Sequence, residues 1–311
     1  MTLIAVAPAR EGSWVHDAVV RGGGQIADVN RASGLIWTDP KHPERLSEIL
    51  AAQPSALEWV QLPFAGIENF WNHGVFAARR ANGDPYTWTC GKGVYAEPVA
   101  EMALTMLLMG FRNVHQYAKA SSWSGPSGRN LHNARIVILG AGGITEAFLR
   151  MIEPFNCHTT VLRKNVAPMA RASEVLSIEA LDDVLPSADA LVIALSLTPE
   201  TIGVIGAPQL ALMQKHAWII SVGRGRHIDA DALVAALETG ALGGAGLDVT
   251  DPEPLPDGHR LWSLPNVIIT PHIGNTPEMA VPLLAERTTA NVRRFCAGEP
   301  LVGLVHLELG Y

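Results

Sequence analysis

The chain has 311 residues, 48% hydrophobic and 17% charged, which is enough apolar material for two ordinary domains or one large one. Its 23 basic and 30 acidic side chains leave a formal charge of −7, which argues against nucleic acid or an anionic membrane as the main partner. Cys90, Cys157 and Cys296 stand far apart without a CxxC pair. Neither a disulfide framework nor a zinc site is therefore expected, and a reducing compartment fits. No apolar run reaches membrane-span length, and the first apolar stretch is too short for a signal peptide, so a soluble cytoplasmic protein is expected.

Short apolar runs at 3–7, 35–38 and 59–62 read as buried strands. Residues 42–52 read as a helix with Pro43 in its first turn. Gly22, Gly23 and Gly24 form a turn, and no Lys-Ser or Lys-Thr follows, so they are not a P-loop. A long helix is predicted over 97–112, opening near Pro98. Its Ala, Leu and Met positions suit a core or a subunit contact better than a ligand pocket. Residues 121–129 are a Ser/Gly/Pro loop, and a new pattern begins after it. Strands are predicted at 135–139, 158–162, 190–195, 217–222, 246–249 and 266–270, with helices at 143–153, 208–213 and 229–238 between them. Such alternation predicts an α/β fold with a parallel, doubly wound sheet of the Rossmann kind. A closing helix is predicted over 276–296, and no internal repeat is visible.

The run Ile136-Val137-Ile138-Leu139-Gly140-Ala141-Gly142-Gly143-Ile144-Thr145 ends a strand and opens a helix. Gly140 permits the tight turn and Gly142 lets backbone approach a pyrophosphate. The N–H groups at Gly143 and Ile144 would meet that anion at the positive end of the helix. A glycine turn without a ligand is the plainer alternative. Thr145 stands where a third glycine is usual, which predicts a helix set slightly farther from the strand. At the end of the next strand, Arg163-Lys164 replaces the carboxylate that would accept the adenosine ribose hydroxyls. Two cations there attract a 2′-phosphate, which favours NADP(H) and leaves NAD(H) possible. A solvated basic pair is the alternative.

Later segments carry more specific signals: Ser221-Val222-Gly223-Arg224-Gly225, Gly246-Leu247-Asp248-Val249, Asp251-Pro252-Glu253-Pro254 and Thr270-Pro271-His272-Ile273-Gly274. Three of them follow carboxyl ends of predicted strands, where open α/β sheets bind ligands. With Leu197-Thr198-Pro199-Glu200-Thr201, Ala65-Gly66-Ile67 and Tyr95-Ala96-Glu97-Pro98, they resemble the D-isomer-specific 2-hydroxyacid dehydrogenases across essentially the whole chain. Within that family the glyoxylate/hydroxypyruvate reductases look most similar.

The resemblance implies two domains: a discontinuous, flavodoxin-like substrate-binding domain over 1–97 and 276–311, and a dinucleotide-binding domain over 98–275. It implies a homodimer, with a 2-oxo acid as the small-molecule partner. It assigns Arg224, Glu253 and His272 as the catalytic trio, and the chemistry agrees. Hydride addition to a ketone leaves charge on oxygen, which needs a proton donor near neutral pH such as His272. Glu253 would hydrogen-bond His272 and fix its tautomer, and Arg224 would pair with the substrate carboxylate and polarise the carbonyl. Ser196 and Thr201 would lie beside the cofactor sugar and phosphates, and Val222, Gly223 and Gly274 would line the cofactor site. Asp248 would accept from the nicotinamide carboxamide, with a turn-capping acid as the alternative. Ala65 and Gly66 would offer backbone N–H groups to the substrate carboxylate, with Arg224 and His272 as its other contacts. Trp71, Tyr86, Trp88 and Met106 are weaker candidates for pocket walls, since large apolar side chains are mostly core. The alternatives are a relative acting on another 2-hydroxy acid, such as D-lactate or 3-phosphoglycerate, and a non-enzymatic NAD-sensing corepressor.

Overall fold

The computed structural model describes residues 1–8, 13–80 and 82–307. The chain divides into two compact units, Met1–Tyr95 with Thr276–Tyr311, and Ala96–Asn275.

In chain order the first unit contains β1 (Leu3–Ala7), α1 (Trp14–Arg21), β2 (Gln25–Ile26), β3 (Gly34–Trp37), α2 (Pro43–Ala51), β4 (Trp59–Gln61), α3 (Glu68–Asn72) and β5 (Thr87–Thr89). The strands form one parallel sheet in the order β2-β1-β3-β4-β5. That is the flavodoxin-like doubly wound order. Alternation along the strands separates two apolar layers. Ala5, Leu35, Trp37 and Val60 face Leu46 and Leu50 of α2 and Phe70 of α3. Ile4, Val6, Ile36 and Trp59 face Val15 and Val19 of α1.

The second unit contains α4 (Ala96–Phe111), α5 (Val114–Tyr117), β6 (Arg135–Leu139), α6 (Gly143–Ile152), β7 (His158–Arg163), β8 (Glu174–Ser177), α7 (Leu181–Val184), β9 (Ala190–Ile193), α8 (Ala207–Leu212), β10 (Trp218–Ser221), α9 (Ala230–Glu238), β11 (Gly244–Leu247) and β12 (Val267–Ile269). Its seven strands run parallel in the order β12-β11-β10-β9-β6-β7-β8. The strand order reverses between β6 and β9, which is the switch point where such sheets bind ligands. Val137, Leu139, Leu191, Ile193 and Ile219 point to the layer under α8 and α9. Ile136, Ile138, Ala190, Val192 and Ile220 point to the layer under α4 and α6. Each fully buried Leu, Ile or Val contributes roughly 1.5–3 kcal/mol of transfer free energy. Asp229 caps α9, its carboxylate accepting from Ala232 N at 3.0 Å.

Helix α10 (Pro277–Ala297) then returns to the first unit, where Val292 and Phe295 cover the α1 face of the sheet. A buried polar chain fixes it there. Gln61 Nε2 donates to Thr288 Oγ1 at 2.8 Å, Asn291 Nδ2 donates to Gln61 Oε1 at 3.0 Å, and Val302 N donates to Asn291 Oδ1 at 2.9 Å. No described helix is long and apolar enough to cross a membrane.

Several sequence expectations shift. Tyr86 and Trp88 are buried in the first unit, stacked edge-on with ring centroids 6.1 Å apart, so they build its core. Met106 is likewise core in the second unit, whereas Trp71 is exposed. The strand predicted over 246–249 runs instead from Gly244 to Leu247, with Gly244 paired to Trp218 of β10 and packed on its indole. A Cβ there would come within 2.4 Å of the ring.

Candidate active site

The loop after β6 combines strand, turn and helix start as the sequence predicts. Gly140 has φ +103°, and a Cβ on it would sit 2.6 Å from Ala194 O on the β9 exit. Only glycine serves both demands. Gly142 begins α6 with no side-chain cap, and a Cβ on it would meet nothing within 4 Å. An uncapped helix start lined by open backbone fits a pyrophosphate, so the residues present suit a dinucleotide. Thr145 is 1% exposed, and its hydroxyl donates to Gly140 O at 2.8 Å. The larger side chain is thus accommodated by tying the helix back to the loop it follows.

The basic pair at the end of β7 is divided. Lys164 Nζ lies 3.0 and 2.7 Å from the two carboxylate oxygens of Glu200. Arg163 has no charged partner among the described residues. Ser196 and Thr201 lie on the β9 exit loop, which folds on itself. Thr201 Oγ1 donates to Ser196 O at 2.9 Å and accepts from Thr198 N at 2.8 Å.

From β9 to β12 the exit loops are seated on one another. Gly223, preceded by Val222, packs on Leu195 O and on the His227 ring. His227 is fully buried. Its Nδ1 accepts from Arg224 N at 3.2 Å, and its Nε2 faces Ser196 O at 3.4 Å. The imidazole thereby joins the β9 and β10 exits under the arginine. Arg224 Nη1 donates to Gly223 O at 2.8 Å. Gly225 lies hard against the backbone of Thr250 and Asp251, which lead to Glu253.

Asp248, 2% exposed, joins the β11 and β12 exits. Its Oδ1 accepts from Thr270 Oγ1 at 2.5 Å and Ile273 N at 2.9 Å, and its Oδ2 accepts from Gly274 N at 2.8 Å. Three of a carboxylate's roughly four acceptor sites are so used, which leaves about one for a ligand. Gly274 is required behind it, since a Cβ there would lie 2.8 Å from Asp248 Oδ2. His272, in the middle of this clamp, has φ +55°, and its N–H donates to Asp248 O at 2.9 Å.

His272 Nδ1 lies 2.6 Å from Glu253 Oε1, with the two side chains 48% and 41% exposed. A carboxylate only accepts, so Nδ1 carries a proton and Nε2 is the nitrogen left to face a ligand. The structure therefore joins Glu253 to His272 directly and sets the Arg224 loop against the Glu253 loop. Ala65 and Gly66 belong to the first unit, where Gly91 N donates to Phe64 O at 2.9 Å and packs against Ala65 N. The sequence reading missed His227, which carries no motif of its own, and missed the clamp donor Thr270 although it lies inside a quoted motif.

A glycine-lined helix start at the sheet's switch point and a Glu-paired histidine at the carboxyl end of the same sheet fit a dinucleotide-dependent oxidoreductase. Residues 102–274 match the model of the D-isomer specific 2-hydroxyacid dehydrogenase NAD binding domain. The chain belongs to that family and is an NAD(P)-dependent D-2-hydroxyacid dehydrogenase. An uncharacterized protein of Corynebacterium melassecola is 36% identical over 307 residues, covering 94% of this chain and 95% of its own length. Glyoxylate/hydroxypyruvate reductase B of Pectobacterium carotovorum is 39% identical over 192 residues, 58% of this chain and 60% of its own. Among solved structures, a D-isomer specific 2-hydroxyacid dehydrogenase from Xanthobacter autotrophicus in complex with NADPH and MES is similar, with a TM-score of 0.82. It is 25% identical, and the match covers 100% of this chain and 99% of that one.

Proposed function

We propose that the protein reduces a small 2-oxo acid, glyoxylate or hydroxypyruvate, with NADPH. The observation that carries this reading is the 2.6 Å Glu253–His272 pair, with the Glu253 loop seated on that of Arg224. The reductase name of the Pectobacterium relative and the NADPH of the Xanthobacter structure support the substrate and the cofactor respectively. Arg163, without a charged partner among the described residues, supports a 2′-phosphate.

When bound, the nicotinamide supplies the hydride. His272 holds a proton at Nε2 for the carbonyl oxygen as that oxygen gains charge, and in the oxidative direction it takes the proton back. Glu253 keeps Nδ1 protonated and the ring oriented. Arg224 pairs with the substrate carboxylate and lowers the cost of charge on the adjacent oxygen. Gly140, Gly142, Gly143 and Ile144 would hold the pyrophosphate, and Ser196 and Thr201 the neighbouring sugar and phosphate oxygens. Val222, Gly223 and Gly274 would line the nicotinamide site, and Asp248 fixes the histidine loop with about one acceptor site that would be left for the carboxamide. The first unit serves as the substrate-binding domain through the N–H groups of Ala65 and Gly66. The family resemblance also supports a homodimer, which light scattering on the purified chain would test.

The functional test is a panel of 2-oxo acids assayed separately with NADPH and NADH. Reduction of glyoxylate or hydroxypyruvate with NADPH, abolished in His272→Ala with cofactor binding retained, is the expected result. Rates with NADH equal to or above those with NADPH would overturn the cofactor choice. Full activity in His272→Ala would remove that residue as proton donor.

A further inference from the structure

The Lys164–Glu200 pair lies where it bears on cofactor choice. Strands β7 and β9 flank β6 on opposite sides, with Leu162 and Ile193 both in register with Leu139, the last residue before the glycine loop. Lys164 follows Leu162 by two residues and Glu200 follows Ile193 by seven. Their contact thus spans the carboxyl end of β6, over a gap of about two strand spacings, roughly 10 Å. Glu200 is presented by a loop fixed through Thr201 and Thr198. That loop is tied further along by Gly203 N donating to Arg226 O at 2.8 Å. The backbone that carries Glu200 is therefore fixed, while both side chains reach across the gap through solvent. Both side chains are mostly exposed, at 71% and 69%, so the pair is weak and can be parted.

We infer that Glu200 is a specificity-determining residue that competes with the cofactor 2′-phosphate for Lys164 and so limits discrimination between NADPH and NADH. The inference rests on the NADP(H) reading above. A 2′-phosphate drawn to Arg163 and Lys164 meets a carboxylate already within 3.0 Å of that ammonium. Like charges at that range repel, and the phosphate must displace Glu200 or share the cation with it. A 2′-hydroxyl has no charge to be repelled, so NADH binding is indifferent to Glu200.

The test is fluorescence titration of NADPH and NADH against the full-length protein, Glu200→Gln, Lys164→Ala and the double variant. Removing the charge is expected to tighten NADPH by about threefold to tenfold and leave NADH within twofold. In the Lys164→Ala background the NADPH gain is expected to shrink to twofold or less, with NADH again unchanged. A Glu200→Gln variant whose two affinities move together, or do not move, overturns the inference. So does an NADPH gain that is undiminished in the Lys164→Ala background. If Lys164→Ala weakens NADPH but Glu200→Gln does nothing selective, the competition fails while the NADP(H) reading stands. If Lys164→Ala leaves NADPH untouched, the placement of the phosphate fails and the competition with it.

Discussion

Adding a single methyl group at Gly225 tests whether the exit loops of β10 and β11 act as one unit. A Cβ there would sit 2.0 Å from both C and O of Thr250 and 2.5 Å from Asp251 N. These are backbone atoms, and no rotamer change can relieve them. Real Cβ contacts essentially never fall below 3.0 Å, so one loop must retreat by about 1 Å. The retreat moves either Arg224, the preceding residue, or Glu253, two residues beyond Asp251. Overpacking of this kind costs roughly 1–3 kcal/mol. For a unit of this size that lowers Tm by about 2–12 °C. A displacement of about 1 Å in a positioning group costs on the order of 10²-fold in rate, near 2.7 kcal/mol of barrier. Gly225→Ala is therefore expected to lower kcat/KM for 2-oxo acid reduction by about 10²-fold while the protein remains folded at 25 °C. Steady-state rates with a thermal melt on the same sample measure both. Unchanged rates and an unchanged Tm would show that the two loops are not seated on each other as described.

Glu253→Ala should reduce kcat by about 10²-fold with cofactor affinity preserved, because it frees the His272 ring without touching the glycine loop; paired rate and fluorescence measurements decide it. Thr145→Val removes the buried donor to Gly140 O and should cost about 1 kcal/mol in urea unfolding, with cofactor binding weakened a few-fold. Gln61→Leu strands the Thr288 hydroxyl and an Asn291 amide hydrogen in the first unit, and should cost about 2–4 kcal/mol, read from urea melts. Burial pushes the Cys157 thiol up to about 11 and raises that of Cys90, so both are protonated thiols at pH 8, where the thiolate is the reactive form. Iodoacetamide at that pH should modify the exposed Cys296 first, as peptide mapping would show. Equal labelling of Cys157 would contradict its burial.

What the sequence revealed was local or periodic. The apolar run 136–139 with glycines behind it announces strand, loop and helix together, and the split of Ile136 and Ile138 from Val137 and Leu139 between two core layers follows from simple alternation. Elements whose logic is tertiary stayed hidden. Strand β2 is two exposed residues whose pairing is with Leu3 and Ile4 of β1. Helix α1 is short, and its buried Val15, Ala18 and Val19 gain their meaning from α10, nearly 260 positions later. The start of β11 depends on its register with β10, where Gly244 pairs with Trp218, and the pairing of Lys164 depends on a carboxylate 36 positions away. Asp248 was legible in part: the turn-capping role open to it in the sequence is present in its bonds to Thr270, Ile273 and Gly274, but which partners it would cap depended on the β12 exit more than 20 positions away.

The return of α10 across the whole intervening unit also dictates an order of assembly on the ribosome. Residues 96–275 are contiguous and can close their own core as soon as they emerge. The first unit is synthesised earlier yet must wait, since Gln61 meets Thr288 and Asn291 only after more than 220 further residues have been made. Until then the β4 face lies uncovered. A nascent chain halted before α10 therefore presents one finished unit and one with an open apolar flank, the state most prone to capture by chaperones or to aggregation.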